Sequence, residues 1–163
     1  MNRIHLFLIL LVVVGVFLLQ KNTPKKEIHY HAGFVVFKDD KKIDFSDIKY
    51  MHVEPCEEDE EEHEDEDEQQ EKAHLHDEVG YVVHVHRNDS HWRDLFKNIN
   101  YSVSDDMVGY IDGKKVAKIL DEPIKEHESV VIFTGKNKDI DKKLQEAISV
   151  KEIKRVEKAG ESC

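Results

Sequence analysis

The sequence predicts an α+β fold: a mixed β-sheet with one short packed helix, a helical C-terminal segment and an N-terminal transmembrane helix. Three observations lead there. Ile28–Phe37 and Val79–Arg87 are β-branched and aromatic runs of strand character. HWRDLFKNI, starting at His91, places Trp92, Leu95, Phe96 and Ile99 on one side of a short helix. From Asp139 onward, Ile140, Leu144, Ile148, Ile153 and Val156 recur as one apolar stripe.

Taken in order, the chain opens with Ile4–Leu19, apolar except for His5 and Gly15. As a helix this stretch would be about 24 Å long, somewhat short of the roughly 30 Å hydrocarbon core. LLQKNTP, which follows, has no small-residue cleavage site and no adjacent cysteine, so residues 1–20 are expected to be an uncleaved signal anchor. The remainder would then lie outside the cytoplasm. Residues 21–27 are a polar linker, and residues 28–136 the main domain. Within it, Lys38-Asp39-Asp40-Lys41 is turn chemistry between Ile28–Phe37 and KKIDF, which predicts a hairpin. Asn88-Asp89-Ser90 supplies a turn and an N-cap for the short helix. VGYIDGKKVAKIL predicts a second hairpin with a type I′ turn at Asp112-Gly113, and EPIKEHESVVIFTG a loop feeding the apolar strand Val130–Phe133. Residues 137–163 form a C-terminal helical segment and tail, in which Ser149 and Glu152 are spaced to restart the helix after a bend.

The 163-residue chain has a net charge of −11, but the charge is localised. The run EEDEEEHEDEDEQQE, Glu57 to Glu71, holds twelve of the 35 acids and leaves 23 acids against 24 Lys and Arg elsewhere. Like charges with nothing apolar to bury predict a disordered insert at 57–72. An EF-hand is excluded, because the run has no glycine at a turn position. Nucleic acid is excluded as a partner, since phosphate neutralisation needs a basic face and the sequence offers none.

The chemistry is concentrated in histidine. Of eleven histidines, six form His-x-His pairs: His29/His31, His74/His76 and His84/His86. On a strand, residues i and i+2 project from one face about 6.6 Å apart. Two imidazoles placed that way can converge on a cation held about 2.0–2.1 Å from each nitrogen. His52 and Cys56, with Met51, are further ligand types gathered within six residues. A Cys56 thiolate would draw the choice toward Cu(I) or Zn²⁺. Asp77, Glu78 and Asp89 are candidate acceptors for the outer histidine nitrogens. His91 and His127 read as surface residues, and Trp92 as a core anchor. The metal site expected from these patterns therefore comprises His29, His31, His52, Cys56, His74, His76, His84 and His86, with zinc or copper as the ion.

The two cysteines, Cys56 and Cys163, have no C-x-x-C spacing, which excludes a thioredoxin-type redox motif. In an oxidising compartment they can instead form a disulfide. That bridge would close a loop worth up to roughly 4.7 kcal/mol in the chain-entropy model. Ligand and disulfide roles for Cys56 both stay open. No Ser/His/Asp order, nucleotide-binding glycine loop or carboxylate pair in an apolar setting marks a catalytic centre.

The order strand, WRDLFKNI helix, D-G hairpin and then PIKEHESVVIFTG resembles a β-grasp domain of the sulfur-carrier and TGS kind over roughly Val79–Gly135. The Ile28–Phe45 hairpin is a candidate first arm. This resemblance implies a β-grasp-like mixed sheet. It implies no sulfur-carrier activity, because Thr134-Gly135 is followed by further chain and not by a free Gly-Gly end. The pattern HYHAGF, EPC, HLHD and VHVHR also resembles small His-rich, membrane-anchored prokaryotic proteins, some of them called protein-disulfide isomerases.

Three functions follow as expectations. The first is a membrane-anchored, extracytoplasmic protein that binds zinc or copper for storage, delivery or sensing. The second is an adaptor for another envelope protein with a pH-responsive histidine patch. The third is a thiol–disulfide protein using Cys56 and Cys163, or else a metal-dependent hydrolase.

Overall fold

The computed structural model describes residues 28–52 and 68–159. The expected anchor at 1–20, the linker at 21–27, Cys56, His63, residues 57–67 of the acidic run and the tail with Cys163 lie outside the described residues. Among the described residues, no helix is long and apolar enough to cross a membrane.

The fold is α+β, and its six strands form one mixed sheet. Strand β1 (Tyr30–Lys38) turns into β2 (Lys41–Lys42), and β3 (Val82–Val85) follows much later in the chain. Helix α1 (Trp92–Asn98) precedes the hairpin β4 (Val108–Ile111) and β5 (Lys114–Val116). Strand β6 (Ser129–Thr134) leads to helices α2 (Ile140–Leu144) and α3 (Val150–Ala159). The strand order is β2-β1-β6-β4-β5, with β3 also paired to β1. Strand β1 runs parallel to β6, from Gly33 opposite Ser129 to Lys38 opposite Thr134. On its other edge, β1 pairs antiparallel with β3 over Tyr30–Gly33 and with β2 over Phe37–Lys38.

Both hairpin expectations hold. Asp39 and Asp40 take φ of 49° and 71°, and Asp112 and Gly113 take 50° and 73°, the paired left-handed conformations of type I′ turns. At the first turn, aspartate tolerates this backbone and also binds the chain just after β6. The Asp39 carboxylate accepts from Lys136 N at 3.0 Å and the Asp40 carboxylate from Lys138 N at 2.7 Å.

Apolar side chains cover both faces of the sheet, which is why GFVVF in β1 does not alternate with polar residues. Ala32, Phe34 and Val36 face a core with Val83, Val85, Val130 and Ile132, closed by Trp92, Leu95 and Phe96 of α1. Trp92 is fully buried, as expected of an anchor. On the opposite face, Val35, Phe37, Val131 and Phe133 pack against Ile140, Leu144 and Ile148. Val82 on that side meets Ile153 and Val156 of α3. The C-terminal stripe is thus two helices, and α3 restarts where Ser149 Oγ accepts from Glu152 N at 3.2 Å.

Two boundaries differ from expectation. The N-cap of α1 is His91 and not Ser90. Ser90 is buried, and its hydroxyl donates back to Arg87 O at 2.8 Å, while the Asp94 carboxylate accepts from His91 N at 2.9 Å. The acidic run also ends in ordered structure. Residues 68–70 are helical, Asn98 Nδ2 donates to Gln69 O at 2.8 Å, and Arg87 Nε donates to Glu71 at 2.6 Å. These contacts lie beside β3 and bear on what it carries.

Candidate metal centre

Strand parity brings the histidines together. His31 on β1 is the direct partner of His84 on β3, so their side chains leave the same face. Extending that register by two residues sets His29 beside His86, and these rings stack at 4.8 Å and 14°. His84 makes a second antiparallel bridge on its other side, to His74. His74 N donates to His84 O at 3.0 Å, and His84 N donates to His74 O at 2.9 Å. His31, His84 and His74 therefore form a row across three chain segments. The next segment joins through His52 N, which donates to Leu75 O at 2.7 Å. Gly80 makes this layering possible. A Cβ there would lie 2.3 Å from the backbone of Phe45 and Ser46, so glycine is what lets the start of β3 approach that loop.

The seven rings form one continuous cluster. Centroids of His29, His31 and His84 are separated by 4.8, 5.9 and 3.9 Å. One donor atom from each lies within 4.8 Å of the others. Two imidazoles on one tetrahedral ion have centroids about 5 Å apart, and their nitrogens about 3.3 Å apart, for metal–nitrogen bonds of about 2.05 Å. The three centroid distances bracket that spacing. An all-imidazole donor set suits a transition metal ion, as imidazole binds zinc, copper, iron and nickel alike.

Beyond this triad, His76 lies 3.5 Å from His84 and 5.7 Å from His74, and His52 lies 5.2 Å from His74. His86 stacks on His74 at 5.4 Å. His31 and His84 are buried, whereas His29 is exposed at the mouth of the cluster.

The electrostatics favour neutral rings at His84 and His74, and the neutral ring is the ligating form. Burial, reinforced by the neighbouring His31, His76, His74 and His29, pushes the His84 imidazole strongly below its ordinary value. Burial likewise brings His74 down to about 4, opposed by its hydrogen bond to Gln70 and helped by His52, His86 and His76. Asp77 makes the contact expected of it, accepting from His76 Nδ1 at 2.6 Å. Asp89 instead lies 3.7 Å from Lys72, and Glu78 is exposed.

A second carboxylate was not foreseen. His127, in a left-handed turn at φ 58°, donates its backbone N–H to His31 O at 2.7 Å. Its ring donates to Glu157 of α3 at 2.9 Å. The Glu157 carboxyl is held below the usual range by His127 first, with His31 contributing, so α3 brings negative charge to the edge of the cluster. Nothing in the spacing of His127 or Glu157 announces this, because it depends on how α3 docks. His91 is away at the start of α1, 3.8 Å from Asp94. Cys56 lies outside the described residues. No family model, curated protein or solved structure matches this chain.

Proposed function

We propose that the protein is a membrane-anchored, extracytoplasmic domain that binds a transition metal ion, zinc or copper, for storage, delivery or sensing. The observation that carries the reading is the convergence of His29, His31 and His84 from two strands, with donor atoms within 4.8 Å of one another. Three imidazoles leave a tetrahedral ion with a fourth position for water or a further ligand, unlike a closed four-ligand structural site. Anchoring rests on the apolar stretch Ile4–Leu19 and its missing cleavage site. The β-grasp reading is supported by β6, which follows the Pro123-Ile124-Lys125 loop and lies in the middle of the sheet against β1.

A patch that charges together on mild acidification fits less well, because burial keeps His74 neutral down to about pH 4 and His84 lower still. Calorimetric titration of zinc into the full-length, untagged protein should show tight binding. His84→Ala combined with His86→Ala should remove its tightest step. A double variant with an unchanged titration would overturn the assignment.

A further inference from the structure

We infer that the histidines hold a second ion, on His52, His74 and His76, beside the one on His29, His31 and His84. This rests on reading the cluster as a metal site and adds its nuclearity. The backbone builds the second group around Leu75, whose side chain is fully buried in the core. His74 and His76 flank Leu75 and so leave the segment on the side opposite to it. His52 is drawn alongside by its hydrogen bond to Leu75 O at 2.7 Å. The resulting centroid separations, 5.2 Å for His52–His74 and 5.7 Å for His74–His76, are each compatible with a pair of imidazoles on one tetrahedral ion, with His74 common to both pairs.

The orientation of these rings is also set. His74 donates from Nδ1 to Gln70 O at 3.0 Å, and His76 donates from Nδ1 to the Asp77 carboxylate at 2.6 Å. With the proton on Nδ1 in both, the ligating lone pair is on Nε2. A carboxylate or carbonyl behind a ligating imidazole is the usual support of a metal-bound histidine. Asp77 follows the ligand directly and takes φ 56°, the left-handed backbone of a turn.

His84 of β3 and His86, just past its end, stand between the two groups. His84 meets His31 at 3.9 Å on one side and His76 at 3.5 Å on the other, and His86 stacks between His29 and His74. Two cations separated by one layer of imidazoles repel, so the second ion binds in a distinct, weaker step. Asp77 supplies negative charge behind one centre, and Glu157 supplies it near the other.

Zinc-loaded full-length protein, untagged and freed of excess metal, tests this by elemental analysis and calorimetry. The wild type should carry two zinc ions per chain in two steps. His74→Ala with His76→Ala should carry one, with the tighter step retained. Asp77→Asn leaves no void and should weaken only the second step, about 10–100-fold, which keeps the test available if the double variant does not fold. A wild type with one zinc, or a folded double variant that keeps two, overturns the second site and leaves the first standing. A wild type that binds no zinc overturns both.

Discussion

His31 of β1 and His84 of β3 oppose each other across an antiparallel ladder, their ring centroids 3.9 Å apart at 79° and both residues buried. Burying two imidazoles costs desolvation free energy that an apolar pair would avoid. A metal ion shared with His29 would offset that cost.

That contrast gives the first prediction. Replacing both His31 and His84 by valine, which suits a buried strand, should leave the metal-free stability within about 1 kcal/mol of the wild type. Zinc at a hundredfold excess over its Kd should stabilise the wild type by about 2.7 kcal/mol and the variant far less. Urea unfolding with and without zinc measures both. Equal zinc stabilisation in the variant would contradict a ligand role.

Acid should destabilise the metal-free protein in a defined window. His74 titrates near 4 when folded, against about 6.5 in an unfolded chain. The unfolded state therefore takes up the proton first. The contribution of His74 to stability is intact above about pH 6.5 and is lost as pH falls toward 4, roughly 3 kcal/mol in all. His84, shifted the same way, continues the loss at lower pH. Unfolding free energies at pH 7.5, 6 and 5 that stayed constant would show that these rings are not held neutral by burial.

Gly80→Ala should act on fold and site together. The added Cβ meets backbone atoms of Phe45 and Ser46 at 2.3 Å, and backbone cannot rotate aside as a side chain can. A loss of about 1–3 kcal/mol in thermal or denaturant unfolding is expected. Zinc affinity should fall as well, because β3 carries His84 and leads directly into His86.

Trp92→Ala should separate the two faces of the sheet. Trp92 is fully buried on the face opposite the histidines, and its loss should cost about 3–5 kcal/mol. Under conditions where the variant remains folded, zinc stoichiometry should equal that of the wild type. A changed stoichiometry would mean that the core behind β1 also shapes the metal centre.

The sequence by itself determined the local elements and the ligand chemistry. Asp39-Asp40 and Asp112-Gly113 tolerate left-handed backbone and so define two hairpins. Trp92, Leu95 and Phe96 share one face of α1 through helical spacing alone. The i, i+2 rule places each His-x-His pair on one side of its own segment before any partner is known. Its reach ended at single segments. Ser90 has the right chemistry for an N-cap, yet burial turned its hydroxyl back to Arg87 and left His91 at the helix start.

Tertiary structure alone decided which pairs meet. The register that sets His31 against His84, the bridge from His84 to His74, and the docking of α3 that brings Glu157 to His127 join residues far apart in the chain. Strand pairing and face-to-face packing select those neighbours by burying apolar surface across the whole sheet. Side-chain spacing within one segment carries no record of that selection.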